Sequence, residues 1–264
     1  MKYLLLLILA FFCFGNNASI KRHDIPSENY LVKKAPGYLI DLPHEGHGVL
    51  INSRWILTVA HTIFYDYVGK ELAINSKNYQ IERVYIHPGY REPDKSLLQG
   101  NLKPLMSFFK SRHDIALIKL KTHVVNAEPI KIYSGRSEQN KTITVFGRGA
   151  TGNGITGEDL KTKSHRVLHK FQNIVASAED HWITYIFDEP INALPLEGMH
   201  GSGDSGGPSV IMEGENTYLV GLSSWQLAFG DISNFKGGLY GTTAYQVRVS
   251  SYQGWISSLV GSEQ

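Results

Sequence analysis

The chain has 264 residues, 42% of them apolar, with a formal net charge of +2 and 26 glycines. That length supports one large two-lobed domain or two small ones, and that apolar share supports a sizeable buried core. So small a net charge leaves no electrostatic footprint for nucleic acid or an anionic membrane surface, and abundant glycine suits an all-β chain with many tight turns.

In chain order, Met1-Lys2 opens onto an apolar run from Tyr3 to Phe14 and a small, polar exit from Gly15 to Ser19. A basic start, a short apolar stretch and a small-residue exit read as a secretory signal peptide over 1–19. The run is shorter than the roughly 20 residues that span a bilayer, and no later segment suits a membrane anchor. The protein is therefore expected to be secreted or periplasmic. Cys13, the single cysteine, falls inside that segment. The mature protein would then hold no disulfide and rely on the size of its core.

From about residue 37 the sequence breaks into short apolar runs. They are Gly48–Ile51, Trp55–Val59, Tyr79–Ile86, Ile115–Leu120, Ile143–Phe146, Tyr218–Leu222 and Tyr245–Val249. Strand-length runs rich in Ile, Val and Tyr, separated by turn signals, predict an all-β sandwich or barrel. Pro88 to Arg112 reads as an inserted surface loop with one helical turn. Polar residues and Pro129 between Thr122 and Arg136 mark a boundary between an N-terminal lobe, 20–130, and a C-terminal lobe, 131–264. Gly147 to Glu158, rich in Gly and Thr, reads as a mobile loop. Trp255, Ile256 and Leu259 fall at helical spacing and predict a short C-terminal helix over Ser251 to Val260.

The strongest chemical signal is Gly201-Ser202-Gly203-Asp204-Ser205-Gly206-Gly207-Pro208. Glycines at four of these eight positions allow unusual dihedrals. A serine in such a loop can be exposed while neighbouring N–H groups converge on one point, as an oxyanion hole requires. A serine hydroxyl also needs a base to take its proton. His61 follows the apolar run Trp55-Ile56-Leu57-Thr58-Val59-Ala60 directly, so a rigid element is expected to hold it. The base needs a buried acid to fix its tautomer, and Asp114 heads the apolar run Ile115–Leu120. Gly203-Asp204-Ser205-Gly206-Gly207 also fits the Gly-x-Ser-x-Gly elbow of α/β-hydrolases. That fold needs its histidine after the serine, and the last histidine here is His200. His44-Glu45-Gly46-His47 lacks the helical spacing of a zinc protease. His165 and His169, four apart, read as surface residues, so no metal and no cofactor is expected.

Thr58-Val59-Ala60-His61, Asp114-Ile115-Ala116-Leu117 and Gly203-Asp204-Ser205-Gly206-Gly207-Pro208 resemble the three signature segments of the trypsin/chymotrypsin family, in that family's order. Ile86-His87-Pro88-Gly89-Tyr90 and Ser223-Ser224-Trp225 add to the likeness. The resemblance implies a disulfide-free member of bacterial type, built from two six-stranded antiparallel β-barrels with His61, Asp114 and Ser205 in the cleft between them. It implies a serine endopeptidase acting on protein or peptide substrates as a monomer. Gly203 and Ser205 N–H groups would form the oxyanion hole, and the backbone of Ser224, Trp225 and Gln226 would pair with a bound peptide like an added strand.

Two features depart from the family pattern. In trypsin-like members an Asp six residues before the nucleophile binds Arg or Lys. Met199 stands there, followed by His200, so the acidic floor is absent. With Gln226 where roomy pockets carry Gly, and Ala244 on the third wall, the pocket reads as apolar and partly filled, although His200 suits an acidic side chain. The family's usual Ile-Val-Gly-Gly start is also missing. In the family a freed N-terminal Ile or Val pairs through its ammonium with the Asp before the nucleophile. Here that acid is Asp204, and Ile20, at the edge of the signal segment, is the expected partner.

Overall fold

The structure is a computed structural model that describes residues 19–161 and 166–261. The rest of the segment read as a signal peptide lies outside the described residues, as do Cys13 and His165. Strand β1 (Ser19–Lys21) is followed by β2 (Leu39–Asp41), β3 (His47–Leu50), β4 (Trp55–Thr58), β5 (Glu71–Ile74), β6 (Lys77–Ile86) and β7 (Ala116–Leu120). β2 to β7 form an antiparallel sheet of order β2-β3-β4-β7-β6-β5. Its edge strands β2 and β5 come back into contact, so the sheet curls toward a barrel. β4 and β7 are buried along their whole length, which is why they read as mainly apolar runs, broken in β7 by Lys119, which pairs with Glu82. The period of two persists in space. Ile56 and Ile118 face the barrel's own core with Leu50 and Ile81, while Leu57 and Leu117 face a core shared with the second sheet.

The second half supplies β8 (Lys131–Ile132), β9 (Thr142–Gly147), β10 (Thr151–Asn153), β11 (Gly157–Asp159), β12 (His169–Ile174) and β13 (Ser177–Glu179). It continues with β14 (Trp182–Ile186), β15 (Gly198–Met199), β16 (Pro208–Glu213), β17 (Asn216–Gln226) and β18 (Thr243–Arg248). The sheet runs β12-β9-β16-β17-β18-β14-β13, with β8 parallel to β17. Contact between β12 and β14 curls it in turn, around Ile143, Val145, Phe171, Ile183 and Val220. Between the two sheets, Leu57, Leu117, Val210, Leu222 and Val247 form one continuous core. This is the expected all-β, two-barrel architecture, and it sets the ends of β4, β7 and β17 side by side.

The expected C-terminal helix is present as α2 (Gln253–Val260), held by buried Ile256. Two local expectations need correction. Pro88 to Arg112 is more than a surface loop with a turn: it contains the nine-residue helix α1 (Lys103–Ser111), with Leu105 and Met106 buried. Pro104 sits in its first turn, where the missing N–H costs no hydrogen bond. Gly147 to Glu158 is not a free loop. β10 and β11 pair as a hairpin, and β10 also pairs in parallel with β1, Ile20 lying opposite Gly152. On its other side Ile20 lies opposite Met199 of β15, which completes a four-stranded sheet β11-β10-β1-β15. These partners lie far apart in sequence, so local composition carries no sign of them. Among the described residues no helix is long and apolar enough to cross a membrane.

Candidate active site

His61 lies in the 3-10 turn Ala60–Thr62 that ends β4. Asp114 precedes β7, and Thr58 lies opposite Ala116 across the ladder. The two side chains are therefore delivered by adjacent, fully buried strands. Ser205 comes from the loop between β15 and β16. Gly206 there has φ +75°, and a Cβ on it would run into the His47 carbonyl oxygen, so only glycine fits. The His47 N–H donates to the Ser205 carbonyl oxygen at 2.7 Å, tying the loop to the first sheet.

The three side chains form one connected line. His61 Nε2 lies 2.8 Å from Ser205 Oγ, and His61 Nδ1 lies 2.6 Å from Asp114 Oδ2. A carboxylate only accepts, so the proton sits on Nδ1 and Nε2 presents its lone pair to the serine hydroxyl. Asp114 Oδ1 also accepts the His61 backbone N–H at 2.9 Å, which fixes the ring relative to its own backbone. Ser224 Oγ donates to Asp114 Oδ2 at 2.5 Å, and Arg112 Nη2 stands 3.4 Å away. Full burial works to raise the Asp114 pKa. The charge and hydrogen bond of His61, then Arg112 and Ser224, outweigh it and hold the carboxyl well below the usual range.

Gly203 has φ +88°, and among the described residues neither its N–H nor that of Ser205 is engaged by another group. Between them, Asp204 turns inward. Its carboxylate accepts the N–H groups of Gly149 at 2.7 Å and Gly201 at 2.9 Å. Burial, with a smaller push from the nearby Glu158 charge, raises its pKa to about 7. Ile20, with Ser19 still attached, is fully buried in β1, and its side chain packs where a Cβ on Gly238 would fall.

The expected pocket residues also converge. Met199 and Ala244 are fully buried. Ala244 lies opposite Gln226 across the β17–β18 ladder and opposite Tyr185 across the β14–β18 ladder. His200 Nδ1 lies 3.0 Å from Tyr185 Oη; burial pushes its pKa down to about 4, so it is neutral at pH 7. The Gln226 amide bridges the walls, donating to the His200 carbonyl oxygen at 2.6 Å and accepting from Gly238 N–H at 2.8 Å. Trp225 stacks on Tyr245 at 3.9 Å. Beside Trp225, a cavity of about 560 Å³ opens toward α1 and is lined by Met106 and Phe229.

Three contributors escaped the sequence reading: the Ser224 hydroxyl, of which only the backbone was singled out, Arg112 and Tyr185. Arg112 stands two residues before Asp114, and that adjacency was the one available signal. Among the described residues no cluster of three His, Cys, Asp or Glu converges on a metal position. His169, expected at the surface, is fully buried and lies on a strand rather than on a helix.

The Trypsin family profile matches residues 37–256. Mouse vitamin K-dependent protein C is 26% identical over 227 residues, covering 82% of this chain and 46% of that protein. Pig complement C1s subcomponent is 26% identical over 239 residues, covering 79% and 31%. Trypsin iota of Drosophila melanogaster is 24% identical over 228 residues, covering 81% of each. The chain thus spans about half the length, or less, of several relatives it matches. With the profile covering most of the sequence and all three signature segments, the chain belongs to the trypsin family.

Proposed function

We propose that the chain is a secreted serine endopeptidase that cleaves peptide bonds through an acyl-enzyme on Ser205. The observation that carries this reading is the line Ser205 Oγ to His61 Nε2 at 2.8 Å and His61 Nδ1 to Asp114 at 2.6 Å. Ser205 Oγ attacks the carbonyl carbon as its proton passes to His61 Nε2. Asp114 stabilises the imidazolium without taking its proton. The carbonyl oxygen, now negative, is held by the N–H groups of Gly203 and Ser205. His61 then gives the proton to the departing amine. Water repeats the sequence on the acyl-enzyme, losing a proton to His61 and releasing the acid.

The substrate lies across a cleft between the 20–130 and 131–264 lobes and pairs with the backbone of Ser224, Trp225 and Gln226. Met199, Ala244 and the Gln226 bridge favour small or medium uncharged side chains before the scissile bond, so Arg or Lys there is cleaved poorly. Activation follows from release of Ile20, whose ammonium would meet the buried Asp204. A fluorophosphonate probe tests the central reading. The mature protein is labelled at Ser205 and Ser205→Ala is not; labelling that persists in the variant removes the assignment.

A further inference from the structure

Resting on that reading, we propose that Glu158 is a positioning residue whose carboxylate holds the oxyanion loop in its working conformation. It stands on β11, two strands across from Ile20, in the register Ile20, Gly152, Glu158. Its Oε1 accepts the Ser202 N–H, one residue before Gly203. Its own N–H donates to the Gly237 carbonyl oxygen at 2.8 Å. The room for this is made by glycine: a Cβ on Gly201 would lie 2.9 Å from Glu158 Oε1, and one on Gly237 would lie 3.3 Å from Oε2. Glu158 therefore joins two loops, 201–204 and 237–238, of which the second also binds Gln226 through Gly238 N–H.

The consequence follows from peptide geometry. The Ser202–Gly203 peptide carries the Gly203 N–H, and its carbonyl oxygen accepts from Ala150 N–H at 2.7 Å. In a trans peptide C=O and N–H point opposite ways, so anchoring that oxygen on the hairpin side directs the Gly203 N–H away from it. Glu158 fixes the preceding peptide, Gly201–Ser202, and Asp204 fixes the loop on the far side through Gly149 and Gly201. At φ +88° Gly203 is a free swivel unless both neighbours are held. No disulfide can link these loops, because the sole cysteine is Cys13. The side-chain tie from β11 to the Ser202 peptide is the carboxylate of Glu158.

The test compares wild type, Glu158→Ala, Glu158→Gln and Ser205→Ala as purified mature proteins. With a peptide substrate, Glu158→Ala loses about 10- to 100-fold in kcat, the scale of a misplaced catalytic group, while KM stays within about twofold. Affinity for a peptide aldehyde, whose oxygen enters the oxyanion site, falls by the same factor. Glu158→Gln keeps an acceptor oxygen and recovers to within about threefold. Unchanged kcat and aldehyde affinity in Glu158→Ala overturn the proposal. So does a loss that Gln fails to rescue and that lowers Tm and raises KM together. Amide hydrogen exchange supplies a readout independent of turnover: the peptide containing 199–206 exchanges faster in Glu158→Ala. If wild type neither turns over substrate nor accepts the probe, the catalytic reading fails, and unchanged exchange there overturns the role of Glu158 separately.

Discussion

Asp114 and Asp204 are the same residue type at nearly the same burial, 0% and 1% exposed, yet their surroundings drive them in opposite directions. Asp114 faces the His61 ring, the His61 N–H, the Ser224 hydroxyl and Arg112. Asp204 faces backbone N–H groups, and the charge of Glu158 nearby works against its ionisation. Burial raises both; only Asp114 has cationic or proton-donating side chains to reverse it. One pocket is complete in the chain as it stands. In the other, among the described residues, the carboxylate is held by backbone N–H groups and no cationic side chain pairs with it.

The comparison breaks most visibly at Asp114. Asparagine there cannot hold the Nδ1 proton, and in a Ser-His-Asp triad that change costs about 10⁴-fold in turnover. We expect a loss of that size for Asp114→Asn in kcat/KM on a peptide substrate. Retention within about tenfold would mean that another group orients His61.

Asp204→Asn acts next most strongly, and only on one form of the protein. In a chain that begins at Ile20, removing the carboxylate strands a buried ammonium, and breaking such a pair costs about 3–5 kcal/mol. Turnover of that form therefore falls by two orders of magnitude or more (about 1.4 kcal/mol per tenfold). In a chain that keeps Ser19, where no Ile20 ammonium exists, the same substitution should leave activity unchanged. Equal activity of the two wild-type forms would sink the Ile20 pairing while leaving the triad untouched.

Stability against pH sharpens the same contrast. The Asp204 pKa is raised from 3.8 to about 7. Its contribution is complete below pH 3.8 and is lost as pH rises through 7. The fully buried His47 and His200 are pushed from 6.5 down to about 4, by burial first. The stacked His87, His113 and His181 are also lowered. The contribution of all five is complete above pH 6.5 and is lost as pH falls below it, for His47 and His200 through about 4. In the Ser19-bearing chain, Tm of Asp204→Asn minus Tm of wild type should rise between about pH 4 and about pH 8. In the chain beginning at Ile20 that rise should vanish. A flat difference in both forms would show that Asp204 already has a cation.

Both barrels, and the meeting of His61, Asp114 and Ser205, were legible because each rests on contiguous residues. His61 and Asp114 end or begin apolar runs, and a strand buried on both faces announces itself as such a run. The glycines around Ser205 mark backbone that no other residue can follow. What was not legible depends on distant partners. Gly147 to Glu158 looks mobile by composition, yet β1 and Gly237 order it from opposite sides. α1 hides in a mixed stretch because only Leu105 and Met106 commit to the core. Tyr185 fixes the His200 ring from a different strand, and nothing in its own neighbourhood says so.

Ser224 gives the smallest effect and the finest test of the comparison. Its hydroxyl is one of several donors to Asp114, at 2.5 Å, and a hydrogen bond to a charged group contributes about 1.5–3 kcal/mol. Ser224→Ala removes that donor but leaves the His61 ring, the His61 N–H and Arg112 in place. The carboxylate therefore stays ionised at neutral pH and His61 keeps its tautomer. Turnover at pH 7 should fall by no more than about tenfold, or 1.4 kcal/mol, far short of the loss in Asp114→Asn. The sharper signature is the pH dependence of stability. Asp114 has a folded pKa below its unfolded value, so its stabilisation is complete above pH 3.8 and is lost as pH falls further. With one donor gone the folded pKa rises toward that value and less stabilisation remains to be lost. The Tm of Ser224→Ala should then lie below wild type at neutral pH and converge with it as pH falls below 3.8. A constant Tm gap across that range would mean that the hydroxyl acts through packing and not through the charge of Asp114.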